Sequence, residues 1–180
     1  MTKPLRFRAA TVRERSLPII FLLLLSPATA EVMDRVAVAV GNRAIKESQI
    51  DRDIRLTAFL NGTALDFGGA SKRKAADRLI DQTMIRAEMA KASYPAPADA
   101  EINLVLDKIK QARFRGNPEY EQALKSYGIA EPELKSHVAW QIQVLHFAGQ
   151  RFGDRVNTAF FAWLDTSRKS SRIQFHDEVF

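Results

Sequence analysis

Residues 35–50 read Arg35-Val36-Ala37-Val38-Ala39-Val40-Gly41-Asn42-Arg43-Ala44-Ile45-Lys46-Glu47-Ser48-Gln49-Ile50, and within this stretch the period of the chain changes. Val36, Val38 and Val40 are β-branched at every second position. Gly41-Asn42 tolerates positive φ, and Arg43-Ala44-Ile45 follows, so a small β-hairpin is predicted. From Glu47 to about Arg168 the apolar spacing is helical instead. The fold class expected is mainly α: one domain of about six helices with a small hairpin near its start. At the far end, Arg172-Ile173-Gln174-Phe175 alternates with period two and reads as a last strand, predicted to pair with the hairpin of Val36 to Ile45.

Turn chemistry divides the helical region. The first helix, about Glu47 to Leu60, repeats Ile50 and Ile54 and stops at Asn61-Gly62. Lys46 stands where a capping Ser or Thr is expected, so Ser48 with a later start is the candidate cap. Ser71 is expected to cap a second helix to about Ala92, whose first turn carries Lys72, Arg73 and Lys74 against the helix dipole. Tyr94-Pro95-Ala96-Pro97 ends it. Helices then follow over Ala98 to Arg113, Pro118 to Tyr127, Pro132 to Phe152, and from Asn157 or Thr158 through Leu164.

The fifth helix is apolar on two sides. At ~100° per residue, Leu134, Val138, Ile142, Leu145 and Phe152 fall within an arc of about 80°, with Trp140, Val144 and Phe147 roughly opposite. Such a helix is either sandwiched by neighbours or shows one stripe to a partner. The sandwiched arrangement is the commoner one.

Upstream of the hairpin, residues 1–15 carry five bases and one acid, Leu17 to Leu25 is apolar, and Ser26-Pro27-Ala28-Thr29-Ala30 follows. This is the pattern of a cleaved signal peptide. The run is about half the ~20 residues a membrane span needs. Residues 1–30 are therefore read as a signal with cleavage after Ala30, and 31–180 as an exported domain with no stable membrane insertion after signal removal. The chain has no cysteine, so neither a disulfide nor a lipidated thiol is available. Of 27 Lys+Arg and 21 Asp+Glu, the leader removes five and one, leaving 22 against 20. A net charge of +2 gives no argument for nucleic acid as a partner.

The residues offer no positive case for catalysis, a cofactor or a metal. Of the three histidines, His137 and His146 turn to opposite faces of one helix, and Glu133 with His137 at i, i+4 reads as a surface pair. There is no G-x-S-x-G elbow and no glycine-rich phosphate loop. What remains is apolar and aromatic surface able to hold unfolded segments, because such side chains give contact area without demanding one geometry. The candidate peptide-binding residues are Phe59, Phe67, Met89, Tyr94, Phe114, Trp140, Phe147, Phe160 and Phe161. Taken singly, each is the kind of residue more often found in a core.

Several segments resemble the N-terminal domain of SurA-type periplasmic chaperones: Asp34 to Asp51, Ala76-Asp77-Arg78-Leu79-Ile80-Asp81-Gln82, Pro97 to Ile102, Leu124 to Leu134 and Gln141 to Phe152. Ala162-Trp163-Leu164, Arg168 and Arg172 to Phe175 are similar to that family's C-terminal helix and strand, which fold back on the N-terminal domain. No stretch resembles the parvulin-type isomerase domains that usually lie between these parts. The resemblance implies an ATP-independent periplasmic holdase, without isomerase modules, that binds unfolded aromatic-rich segments of outer-membrane or exported proteins. Two rivals are a dedicated envelope adaptor that binds one folded partner, and a prolyl isomerase by kinship, which the missing parvulin segment disfavours.

Overall fold

The computed structural model describes residues 34–92 and 94–180, so the expected leader lies outside the described residues. β1 (Val36–Val40) is the middle strand of a three-stranded antiparallel sheet, flanked by β2 (Arg43–Lys46) and β3 (Ile173–Phe175). Val38 stands opposite Ile45 on one side and Phe175 on the other. Main-chain bonds from Gly41 N to Arg172 O (2.8 Å) and from His176 N to Ala37 O (2.9 Å) extend the second pairing, so the hairpin and the last strand form one sheet as predicted. Within the turn only Gly41 takes positive φ; Asn42 does not.

Six α-helices follow among the described residues: α1 (Glu47–Asn61), α2 (Gly69–Met89), α3 (Asp99–Arg113), α4 (Asn117–Tyr127), α5 (Glu131–Phe152) and α6 (Phe161–Ser170). α1 starts at Glu47 with no later start at Ser48. Its cap comes from Asp34, whose carboxylate accepts from the Ser48 amide at 3.1 Å and the Ser48 hydroxyl at 2.6 Å, while Gln49 Oε1 accepts from Lys46 N. Free amides of a first turn need acceptors, and here one arrives from fourteen residues upstream.

α2 likewise departs from expectation. It begins at Gly69 and ends at Met89, and Ser71 does not cap it. Asp66 instead accepts from Gly68 N and from the Ser71 hydroxyl, which shapes the entry turn. The basic first turn is neutralised from outside the helix: Lys72 Nζ reaches Glu47 (2.8 Å) and Val179 O (3.2 Å), and the Arg73 guanidinium lies 3.7 Å over the Phe175 ring.

Where one helix was expected after Phe152, the chain makes a 3-10 turn (Gly153–Arg155), a π turn (Val156–Phe160) and then α6. A π turn holds an extra residue and so changes the face on which later side chains fall.

Two apolar clusters fill the interior. One joins the sheet to Ile50 and Ile54 of α1, Ile80 and Met84 of α2, Trp140 and Phe147 of α5, and Leu164 of α6. The other joins Leu56 and Phe59 of α1 to α3, α4 and Leu134, Val138 and Ile142 of α5. The two stripes of α5 thus serve two cores, which is the sandwiched arrangement. Two members depart from the expected stripes: Phe152 packs with the first cluster, and Leu145 is 69% exposed.

Candidate functional site

Because α1 and α5 belong to both cores, a seam runs between them, and α2 closes it on one side. A cleft of about 410 Å³ opens there, lined by Arg52, Asp53 and Leu56 of α1, Leu79, Gln82 and Arg86 of α2, and Pro132, Glu133, Ser136, His137 and Trp140 of α5. Trp140 is largely buried and forms its floor, with the Arg86 guanidinium 3.7 Å over the indole. Gln49, Leu79, Gln82 and Arg86 continue the cleft to Arg43, Ala44 and Ile45 of β2, a further space of about 510 Å³.

Charges within the cleft are arranged unevenly. Asp53 is 5% exposed, and both Nε and Nη2 of Arg78 reach its Oδ2, at 2.8 and 2.5 Å. Burial raises the Asp53 carboxyl above the usual aspartate range against the opposing pull of Arg78. Burial pushes the His137 imidazole down, with Asp53 acting the other way. Glu133 pairs with Arg52 at 3.0 Å and accepts from Ala130 N, so it is not the partner of His137, whose Nε2 lies 3.0 Å from the Gln141 amide. Arg86 is pushed down by burial and then by the like charge of Arg43.

The aromatic candidates separate by depth. Phe59 and Phe147 are wholly buried and present no surface. Phe59 packs with Phe114, Tyr120 and Tyr127 at centroid distances of 5.8, 6.3 and 5.6 Å. Met89 is buried in the first core, Phe67 is half-buried against it under Arg55, and Phe114 is half-buried against the second core. From Phe147 a ladder of rings runs outward: Phe152 at 6.2 Å, Phe160 at 5.7 Å from Phe152, and Phe161 at 5.5 Å from Phe160. Trp163 backs it, 5.9 Å from Phe147 and 6.0 Å from Phe160, and Tyr94 caps its inner end at 5.1 Å. Phe161 is 63% exposed.

The structure therefore brings Phe147, Phe160 and Phe161 together with Trp163, places Trp140 in the cleft, and leaves Phe59 and Phe114 in the other core. Arg43, Gln49, Gln82 and Arg86, which line the cleft, carry no sequence signal beyond being polar. Among the described residues no three His, Cys, Asp or Glu side chains group as metal ligands, and no helix is long and apolar enough to cross a membrane.

No family model matches the chain, and no solved structure matches it. The chain is similar to a protein described as "Chaperone SurA" from Saccharophagus degradans, 28% identical over 119 residues, which cover 63% of this chain and 27% of that one. The matched stretch thus spans about a quarter of the curated relative's length. The likeness is a distant one to a chaperone, and it falls on a chain whose described part is mainly helical with a small three-stranded sheet.

Proposed function

We propose that this protein is an ATP-independent holdase-type chaperone that binds unfolded, aromatic-rich segments of outer-membrane or exported polypeptides in the periplasm. Residues 1–30 serve as its export signal, and residues 31–180 form the working domain. The observation that carries this reading is the ring ladder that starts in the core at Phe147 and emerges at Phe161. Anchored rings with an exposed end offer contact area at little ordering cost, and they impose no single partner geometry. The Trp140 cleft supplies a second surface with an aromatic floor. The similarity to a chaperone supports the same reading.

The test is aggregation of an unfolded outer-membrane β-barrel protein, followed by light scattering at rising ratios of this protein. A holdase suppresses scattering in proportion to its amount and does so for several unrelated clients. Suppression of one client alone makes the dedicated adaptor the better account, and none at excess removes the chaperone reading.

A further inference from the structure

At the β2 end of the cleft the chemistry becomes basic. Among the described residues β2 is an edge strand, with β1 on its inner side and no strand on its outer side. Arg43, Ala44 and Ile45 of that strand line the cleft opposite Gln82 and Arg86 of α2. Arg35, Arg52, Arg73, Arg78, Arg151 and Arg168 each pair with a carboxylate, whereas among the described residues Arg43 and Arg86, like Arg115, Arg155 and Arg172, make neither an ion pair nor a side-chain hydrogen bond, and of these five only Arg43 and Arg86 line one cleft together. Their charges nonetheless act on each other, since Arg43 depresses Arg86. Two adjoining guanidinium groups without an anion are a mutual repulsion that a carboxylate between them would relieve.

We propose that this edge receives an extended acidic polypeptide segment, which adds to β2 as a fourth strand and places an Asp or Glu side chain between Arg43 and Arg86. Main-chain pairing to an open edge supplies affinity that is indifferent to sequence, and the side chains that face the groove supply choice. A free anion would use the two arginines but not the strand edge. The proposal rests on the chaperone reading and narrows it, because a client segment with an acidic residue beside its apolar ones would be held in preference to a neutral one.

The test uses the full chain and a pair of fluorescently labelled, extended Val/Thr peptides that differ only in a central Glu or Gln, with binding read by anisotropy. The Glu peptide is expected to bind about tenfold tighter, the scale of one charge-assisted contact. The preference should vanish in the double variant Arg43→Gln/Arg86→Gln, whose far-UV circular dichroism should stay at wild-type values and whose thermal midpoint should fall by no more than a few degrees as Arg86 leaves the Trp140 ring. N-methylation of alternate peptide amides should abolish binding on one set of positions and spare the other.

Equal affinity for the two peptides, a preference that survives in the double variant, or binding displaced by millimolar phosphate and untouched by N-methylation would each overturn the proposal. Absence of any peptide binding overturns it too. If aggregation suppression persists without a Glu preference, only the acidic-segment proposal is lost; if both are absent, the chaperone reading goes with it.

Discussion

Arg168 of α6 donates through Nε to the carboxylate of Asp81 on α2, and through Nη2 to the main-chain oxygen of Asp77 at 2.7 Å. A third bond, from Nη1 to Asp77 Oδ1, spans 3.2 Å. The planar fork of a guanidinium fits this set and an ammonium does not. Its hydrogen bond to Asp81, opposed by burial, holds Arg168 above its usual range. Arg168→Ala should destabilise the fold by about 2 kcal/mol, and Arg168→Lys should recover less than half of that in urea unfolding. Full rescue by lysine would mean that charge alone, not the fork, holds α6 in place.

The Asp53 and Arg78 pair should respond asymmetrically to mutation. The Asp53 side chain is 5% exposed and that of Arg78 is 41% exposed. Removing Arg78 strands a buried carboxylate, whereas removing Asp53 frees an arginine that water already reaches. Arg78→Gln should cost about 2 kcal/mol at neutral pH, and Asp53→Asn close to nothing. Because burial raises the Asp53 pKa, protonation favours the folded form: this contribution is full below the ordinary aspartate value and is lost as pH rises through the raised one. The Arg78→Gln deficit should therefore shrink on acidification, as urea midpoints across that range would show.

Glu47 titrates in the opposite sense. A hydrogen bond from Lys72, opposed by burial and aided by Arg35, holds its carboxyl below the usual glutamate range. Its stabilisation is present above the ordinary value and disappears as pH falls through the depressed one. Lys72→Gln should lower the urea midpoint at neutral pH and converge on wild type once Glu47 is protonated. A gap that stays constant would assign the role of Lys72 to its other bond, with Val179 O.

Two glycines should give opposite signs. Gly128 ends α4 at φ +64, and a Cβ there would lie 2.7 Å from Arg55 Nη1, which itself donates to Tyr127 O. Gly149 lies inside α5 with open space around a would-be Cβ. Gly128→Ala should destabilise by 1 kcal/mol or more, roughly, and Gly149→Ala should stabilise by about 0.5–1 kcal/mol in thermal or urea unfolding.

The ring ladder separates stability from binding. Phe147→Ala empties a fully buried site and should cost about 3–5 kcal/mol. Phe161→Ala removes an exposed ring and should leave the thermal midpoint within about 1–2 °C of wild type, while weakening suppression of client aggregation. If Phe161→Ala suppresses as well as wild type, the outer end of the ladder is not where clients sit.

Local signals carried much of the fold. Alternating valines with Gly41 gave the hairpin, Gly62 and Gly128 marked two helix ends, and the opposed stripes of α5 foretold a helix between two cores. Long-range partners were not legible. Nothing near Ser48 indicates that Asp34 caps it, and nothing near Lys72 announces Glu47. The candidate site residues were chosen as aromatic, a criterion that large core-filling side chains meet as well as exposed ones, so Phe59 and Phe147 entered the set although both are interior. Arg43 and Arg86 escaped it because only the packing of β2 against α2 makes them neighbours.

The central position of β1 also governs the order of folding. Its pairing with β2 closes a two-residue turn, but its pairing with β3 closes a loop of roughly 135 residues, so the sheet cannot be completed until the chain is available as far as Phe175. Helices form from local contacts and this last pairing does not, so it is expected to be the later event. A chain that emerges from its N-terminus therefore leaves the β3-facing edge of β1 unpaired until Phe175 is available, and locks only once nearly all of it is free to fold.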